Sequence, residues 1–167
     1  SHGVEKVLPR KAANATLFTD AAHFGWGAVL VDEHHDVYVA GDTWKVAQRA
    51  FSSNAKETLA IANALAAFKA RVMDLSLLRI VVDNTTAQSI VTRGASRSDN
   101  LADVAAAVTD ALKRINAEIH VSYVKSKDNP ADEPSRGLPV SFEKILREET
   151  TRLGAADSRK GGRARFC

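Results

Sequence analysis

Four carboxylates stand where an acid needs a reason. Asp20 closes the apolar run Leu17-Phe18-Thr19-Asp20, and Asp83 closes Ile80-Val81-Val82-Asp83. Glu57 falls in the first turns of a long helical pattern, and Asp132 follows Asn129-Pro130-Ala131 in a proline-rich stretch. In open α/β sheets, ligand sites form beyond strand ends, so two strand-terminal acids on adjacent strands would meet at one sheet edge. Their repulsion would raise a pKa or call in a cation. A set made only of oxygen ligands suits Mg²⁺ or Mn²⁺ rather than zinc. Taken singly, each acid fits a turn or helix-cap role better than a functional one.

Other ligand-type residues say less. His34-His35 lies in the polar connection Asp32-Glu33-His34-His35 with no third ligand nearby, and reads as a solvated turn. Cys167 is the one cysteine, which excludes a disulfide framework and a Cys-based zinc site. The 167 residues carry 23 Lys+Arg against 20 Asp+Glu, a net charge of +3. That excess sits at the end: residues 152–167 hold Arg152, Arg159, Lys160, Arg163 and Arg165 against Asp157 alone. The preceding 151 residues are nearly neutral, so the basic excess is a tail rather than a spread-out nucleic-acid signal. No apolar run approaches about 18 residues, which excludes a spanning helix, and no membrane partner is expected.

The acids need elements to position them. Apolar runs at 15–20, 26–31 and 37–41 predict three strands joined by tight connections. From 53 to 70 the period changes: Leu59, Ala62, Ala66 and Ala70 recur at helical spacing, as do Ile61, Leu65 and Phe68, with Ser52 or Ser53 as N-cap. A strand over 77–82, a short helix over 84–92 closed by Gly94, and a helix opening at Asp99 follow. The last of these carries Leu101, Val104, Ala105, Val108, Leu112 and Ile115 on one face. Residues 119–124 alternate as a strand with Ile119, Val121 and Tyr123 on one side. Residues 128–139 hold three prolines and read as a loop, and 141–152 form a final amphipathic helix. The order β-β-β-α-β-α-α-β-α predicts an α/β fold, a mixed sheet with helices on its faces. One domain is expected over 15–152, after a lead-in at 1–14 and before a basic, disordered tail at 153–167.

Four motifs then fall into one pattern. Thr19-Asp20-Ala21-Ala22-His23-Phe24-Gly25-Trp26-Gly27-Ala28-Val29-Leu30 resembles the first hairpin of the ribonuclease H family. Ser53-Asn54-Ala55-Lys56-Glu57-Thr58-Leu59-Ala60 is similar to the helix that supplies its glutamate. Val82-Asp83-Asn84 resembles its third acidic position, and Asn129-Pro130-Ala131-Asp132-Glu133-Pro134-Ser135-Arg136-Gly137 its fourth. The nonapeptide especially resembles ribonuclease H domains of DIRS-type (VIPER-like) and hepadnaviral reverse transcriptases. The resemblance implies a five-stranded mixed sheet of order 3-2-1-4-5 with helices on both faces. It implies hydrolysis of the RNA strand of an RNA–DNA hybrid, leaving a 3′-hydroxyl and a 5′-phosphate, in a domain linked to or acting with a polymerase. An intracellular setting, cytoplasmic or nuclear, is expected.

By the same resemblance, Asp20, Glu57, Asp83 and Asp132 hold two Mg²⁺ ions, which Mn²⁺ can replace. Two such metals about 3.5–4 Å apart activate water on one side and stabilise the leaving oxygen on the other. Asp20 would bridge both, Asp132 would complete the water-activating site, and Glu57 and Asp83 would hold the other metal. Substrate grip is expected from Asn54, Asn84 and Thr85 and from Lys125, Lys127 and Arg136. Trp44 is expected in the core or at a sheet edge. Two departures stand out: the stretch from Tyr123 to Asn129 lacks the family's loop histidine, and the segment from Arg93 to Leu101 is too short for a basic helical protrusion. His120 is expected to pack on its strand rather than substitute. The alternatives are an inactive binding module, which the presence of all four acids disfavours, and a DNA integrase or transposase core. That core places its glutamate on a late helix, whereas Glu57 precedes Asp83 by 26 residues.

Overall fold

Successive residues of a strand face opposite sides of a sheet, and the central strands show what that demands. In β1 (Asn14–Ala21), Leu17 belongs to one apolar cluster and Phe18 to the other, and both are fully buried. In β4 (Leu77–Val82), Ile80 and Val81 divide the same way. A strand covered on both faces needs apolar side chains at consecutive positions, and Leu17-Phe18 and Ile80-Val81-Val82 supply them.

The computed structural model describes residues 13–94 and 99–159, with backbone only for 99, 100 and 153–159. β1 pairs antiparallel with β2 (Gly25–Asp32), which pairs antiparallel with β3 (Val37–Thr43). On its other side β1 runs parallel to β4, and β4 parallel to β5 (Glu118–Tyr123). The sheet order is therefore β3-β2-β1-β4-β5. One face packs on α1 (Ser53–Ala67) and α4 (Asp99–Lys113), through Ile61, Ala64, Leu65 and Val108. The other meets α6 (Phe142–Arg159) through Ile145 and the 129–137 loop through Ala131. A short α2 (Lys69–Val72), α3 (Thr85–Arg93) and a four-residue α5 (Asp132–Ser135) complete the chain.

Several boundaries differ from expectation for local reasons. The long helix breaks at Phe68 (φ −100°, ψ 17°) instead of running to 70. The proline loop contains α5, because Pro134 lies in a first turn where its missing N–H costs nothing. The last helix runs to Arg159, seven residues past the expected end. Gly94 closes α3 with φ 72°, as its spacing predicts. The lead-in through residue 12, residues 95–98 and the tail from 160 lie outside the described residues. Among the described residues no helix is long and apolar enough to cross a membrane.

Candidate active site

Parallel pairing of β1 with β4 sets Phe18 opposite Val81, which brings the ends of both strands to one edge. Asp20 is two residues on from Phe18, and Asp83 two on from Val81. The third acid arrives on α1. Ser52 caps that helix by accepting from the Ala55 N–H at 3.1 Å, so the chain turns helical in time to place Glu57 in the second turn. The result is a cluster in which Asp20, Glu57 and Asp83 each offer a carboxylate oxygen within 4.8 Å of the others. Asp20 and Glu57 are buried, Asp83 partly so.

Burial and crowding oppose ionisation here. Desolvation, then the Asp83 charge, push Asp20 from 3.8 up to about 7, although the Ala21 N–H donates to its Oδ1 at 2.9 Å. Desolvation, then the charges of Asp20 and Asp83, push Glu57 from 4.5 up to about 10. Glu57 Oε2 is buried with no hydrogen-bond partner. A buried carboxylate oxygen without a donor is a costly arrangement that a cation would relieve. The donor set is three carboxyl groups that a cation would drive toward their charged form, so these residues can hold a divalent metal ion.

The turn after Asp20 is pinned at three successive carbonyls. Trp44 Nε1 donates to Ala22 O at 2.9 Å, buried Lys56 Nζ to His23 O at 3.3 Å, and the Trp44 N–H to Phe24 O at 2.9 Å. Trp44 is 2% exposed, so it is a core residue with a structural hydrogen bond.

Asp132 stands outside the three-acid cluster. Its Oδ2 accepts from Arg136 Nη2 at 2.8 Å, with Lys144 Nζ at 4.0 Å. The Arg136 bridge is half-exposed and follows the i,i+4 pattern, which makes it worth only about 0–1 kcal/mol. The loop carrying Asp132 is nevertheless tied to the site. Fully buried Asn129 donates from Nδ2 to Thr19 O at 2.9 Å and to Asp83 Oδ2 at 3.3 Å. The Asp132 N–H in turn donates to Asn129 O at 3.0 Å. Beyond it, α5 lies on a strip of glycines in the sheet. A Cβ on Gly27 would meet Ser135 N at 2.2 Å, and those on Gly41 and Gly25 would meet Pro134 O at 3.3 Å and Ser135 O at 3.4 Å; the nearest neighbour of a Gly25 Cβ is Asp42 O of β3, at 2.5 Å.

The expected grip residues are placed unevenly. Asn54 and Asn84 meet, with Asn84 Nδ2 donating to Asn54 Oδ1 at 3.0 Å. Asn84 Oδ1 accepts from the Ala87 N–H, so this side chain is the cap of α3, which limits it as a substrate contact. Thr85, Lys125 and Lys127 are exposed, and Arg136 is engaged by Asp132. His120 does not pack against the sheet: on edge strand β5 it is exposed and meets Glu118 Oε1 at 2.8 Å. His34 and His35 lie in an exposed turn, with His35 at φ 63°. The residues that sequence reasoning missed are Asn129 as a bridging group and Gly25 and Gly27 as a seat. Glycines two apart in a strand were the available signal for the seat, since they mark close backbone approach.

This topology is that of ribonuclease H-like domains. The N-terminal RNase H domain of Rv2228c from Mycobacterium tuberculosis, solved as a fusion with maltose binding protein, superposes with a TM-score of 0.61. It is 15% identical, and the match covers 75% of this chain and 93% of that one. RNase H1 from the halophilic archaeon Halobacterium salinarum NRC-1 gives 0.57 at 18% identity, over 77% and 94%. No curated protein matches the sequence. Residues 11–115 match the family described as the RNase H-like domain found in reverse transcriptase, and the chain belongs to that family. The matched stretch contains Asp20, Glu57 and Asp83 and stops short of Asp132.

Proposed function

We propose that this chain is a divalent-metal-dependent ribonuclease H that hydrolyses the RNA strand of RNA–DNA hybrids, as a domain of a DIRS-type (VIPER-like) or hepadnavirus-like retroelement reverse transcriptase. The observation that carries the reading is the convergence of Asp20, Glu57 and Asp83 around a buried carboxylate oxygen with no donor. Asp20, Glu57 and Asp83 would hold Mg²⁺ or Mn²⁺, with Asp132 as the fourth ligand. When bound, the ions supply Lewis-acid activation of water and charge stabilisation at the phosphate.

The protein's own part is positional. The strand ends fix Asp20 and Asp83 against a rigid sheet, and the pinned turn at 22–24 keeps the exit from β1 in place. Glu57 holds a proton while the cluster is bare and gives it up when a cation offsets the repulsion. Asp132 leaves a weak surface bridge to Arg136 at little cost, which frees both the acid and a guanidinium for the substrate phosphate. In the hydrolysis, water oxygen joins phosphorus as the bond to the 3′ oxygen breaks, and that oxygen takes a proton. Discrimination for RNA would rest on the 2′-hydroxyl near Glu57. The setting would be intracellular, cytoplasmic or nuclear.

A labelled RNA–DNA hybrid incubated with Mg²⁺ or Mn²⁺ tests this. RNA-strand products bearing 5′-phosphates are expected from wild type, with their loss in Asp83→Asn. Equal products and rates from both would overturn the reading. The absence of a histidine from the loop before Asp132 favours a second reading: a catalytically weak or inactive binding module. A dead site would show no carboxylate-dependent Mg²⁺ binding in calorimetry.

A further inference from the structure

The geometry points to Asn129 as a positioning residue that orients Asp83 and couples the Asp132 loop to it through one neutral amide. The inference rests on the metal reading of this site. Asn129 has 0% exposure and spends three of its four hydrogen-bonding positions on three separate segments. One Nδ2 proton goes to Thr19 O, next to Asp20, and the other to Asp83 Oδ2. Its Oδ1 accepts from the Ala131 N–H at 3.0 Å, one residue before Asp132.

These partners fix which way the amide points. A flipped amide would set Oδ1 against a carbonyl and a carboxylate, both acceptors, and Nδ2 against an N–H, a donor. All three contacts would turn repulsive. The same logic explains why the bridge needs an amide. An aspartate at 129 would press a further charge on Asp83. A lysine or arginine would neutralise Asp83 and compete with a cation for it. A neutral donor holds Asp83 Oδ2 in place and leaves the ligand its full negative charge, as partners behind metal ligands characteristically do. Because one amide also anchors Ala131, a displaced Asp83 and a displaced Asp132 loop are the same event.

The test is Mn²⁺ binding to the full chain by isothermal calorimetry, arranged as a double-mutant cycle with Asp83. Asn129→Ala is expected to weaken Mn²⁺ binding by about tenfold or more, the usual effect of removing such a partner. In an Asp83→Asn background the same change is expected to alter affinity less than about twofold. A structural residue would lower the melting temperature without this dependence on Asp83. Unchanged affinity in Asn129→Ala, or an equal loss in both backgrounds, would overturn the inference and leave the metal reading standing. A wild-type chain that binds no Mn²⁺ would overturn both. If Asn129→Ala fails to fold, wild-type protein decides. With ¹⁵N-labelled asparagine, the Asn129 side-chain amide signals should shift on Mg²⁺ addition and lose that shift in Asp83→Asn. Signals that ignore Mg²⁺ in wild type would refute the role.

Discussion

Replacing Glu57 by glutamine should make the metal-free protein more stable, the reverse of what removing a buried partner usually does. Desolvation and the charges of Asp20 and Asp83 raise the Glu57 pKa from 4.5 to about 10. The folded form therefore keeps this proton up to about pH 10, while the unfolded chain releases it above about pH 4.5. Between those values folding takes up a proton, so stability falls as pH rises, by as much as about 1.4 kcal/mol per unit. At pH 7 the interval above 4.5 corresponds to an upper limit of about 3 kcal/mol, and at pH 5 to under about 1 kcal/mol. Glutamine is neutral at every pH and can donate to Asp20, so it escapes that loss. Asp20 shares the repulsion, which leaves about 1–3 kcal/mol for Glu57→Gln at pH 7. For a domain of this size that is a rise of roughly 3–10 °C in Tm. The assay is thermal or urea unfolding with EDTA at pH 7 and pH 5, then with excess Mg²⁺. The variant should lead at pH 7, lose most of its lead at pH 5, and fall behind wild type once Mg²⁺ is added. A variant less stable than wild type in EDTA at pH 7, or a gap independent of pH, would refute the account of Glu57 as a charge held in check.

Two further outcomes are expected. Gly27→Ala drives a methyl group into the backbone at Ser135 N, 2.2 Å from the new Cβ, which a side-chain adjustment cannot relieve. It should lower stability in urea melts by about 1–3 kcal/mol and raise protease cleavage between 129 and 137, where an unaltered loop would argue against the glycine seat. Ser52→Ala removes the cap of α1 and should lower stability by about 1 kcal/mol, with Mn²⁺ affinity in calorimetry held within about threefold, because later turns keep Glu57 in place.

How much could be read before the structure varied with the range of the interactions involved. Leu77–Val82 is a strand with the expected bounds because its apolar and β-branched residues, interrupted only by Arg79, span the same stretch as its pairing with β1 and β5. Gly94 marked a helix end because only local backbone geometry was at stake. Asp20 and Asp83 could be suspected as a pair, but their meeting depends on a parallel pairing that no local pattern encodes. His120 went wrong for a related reason: alternation gives a strand's two faces, not whether the strand lies at an edge with little to cover it. Asn129 was visible as a letter in a motif. Its bonds reach residues 110 and 46 positions away, so its job could not be inferred from spacing.

That reach also sets a schedule. Thr19 is among the first residues of the domain to leave a ribosome, and its carbonyl waits 110 residues for the amide that meets it. β1, at the middle of the sheet, likewise waits for β4 while the β1–β2–β3 meander can pair at once. Non-local closures of this kind come late in folding. A nascent or truncated chain ending before residue 129 therefore carries Asp20, Glu57 and Asp83 without the group that ties Asp83 to the fourth acid. The arrangement that joins all four acids is a product of the whole domain and does not form on an unfinished polypeptide.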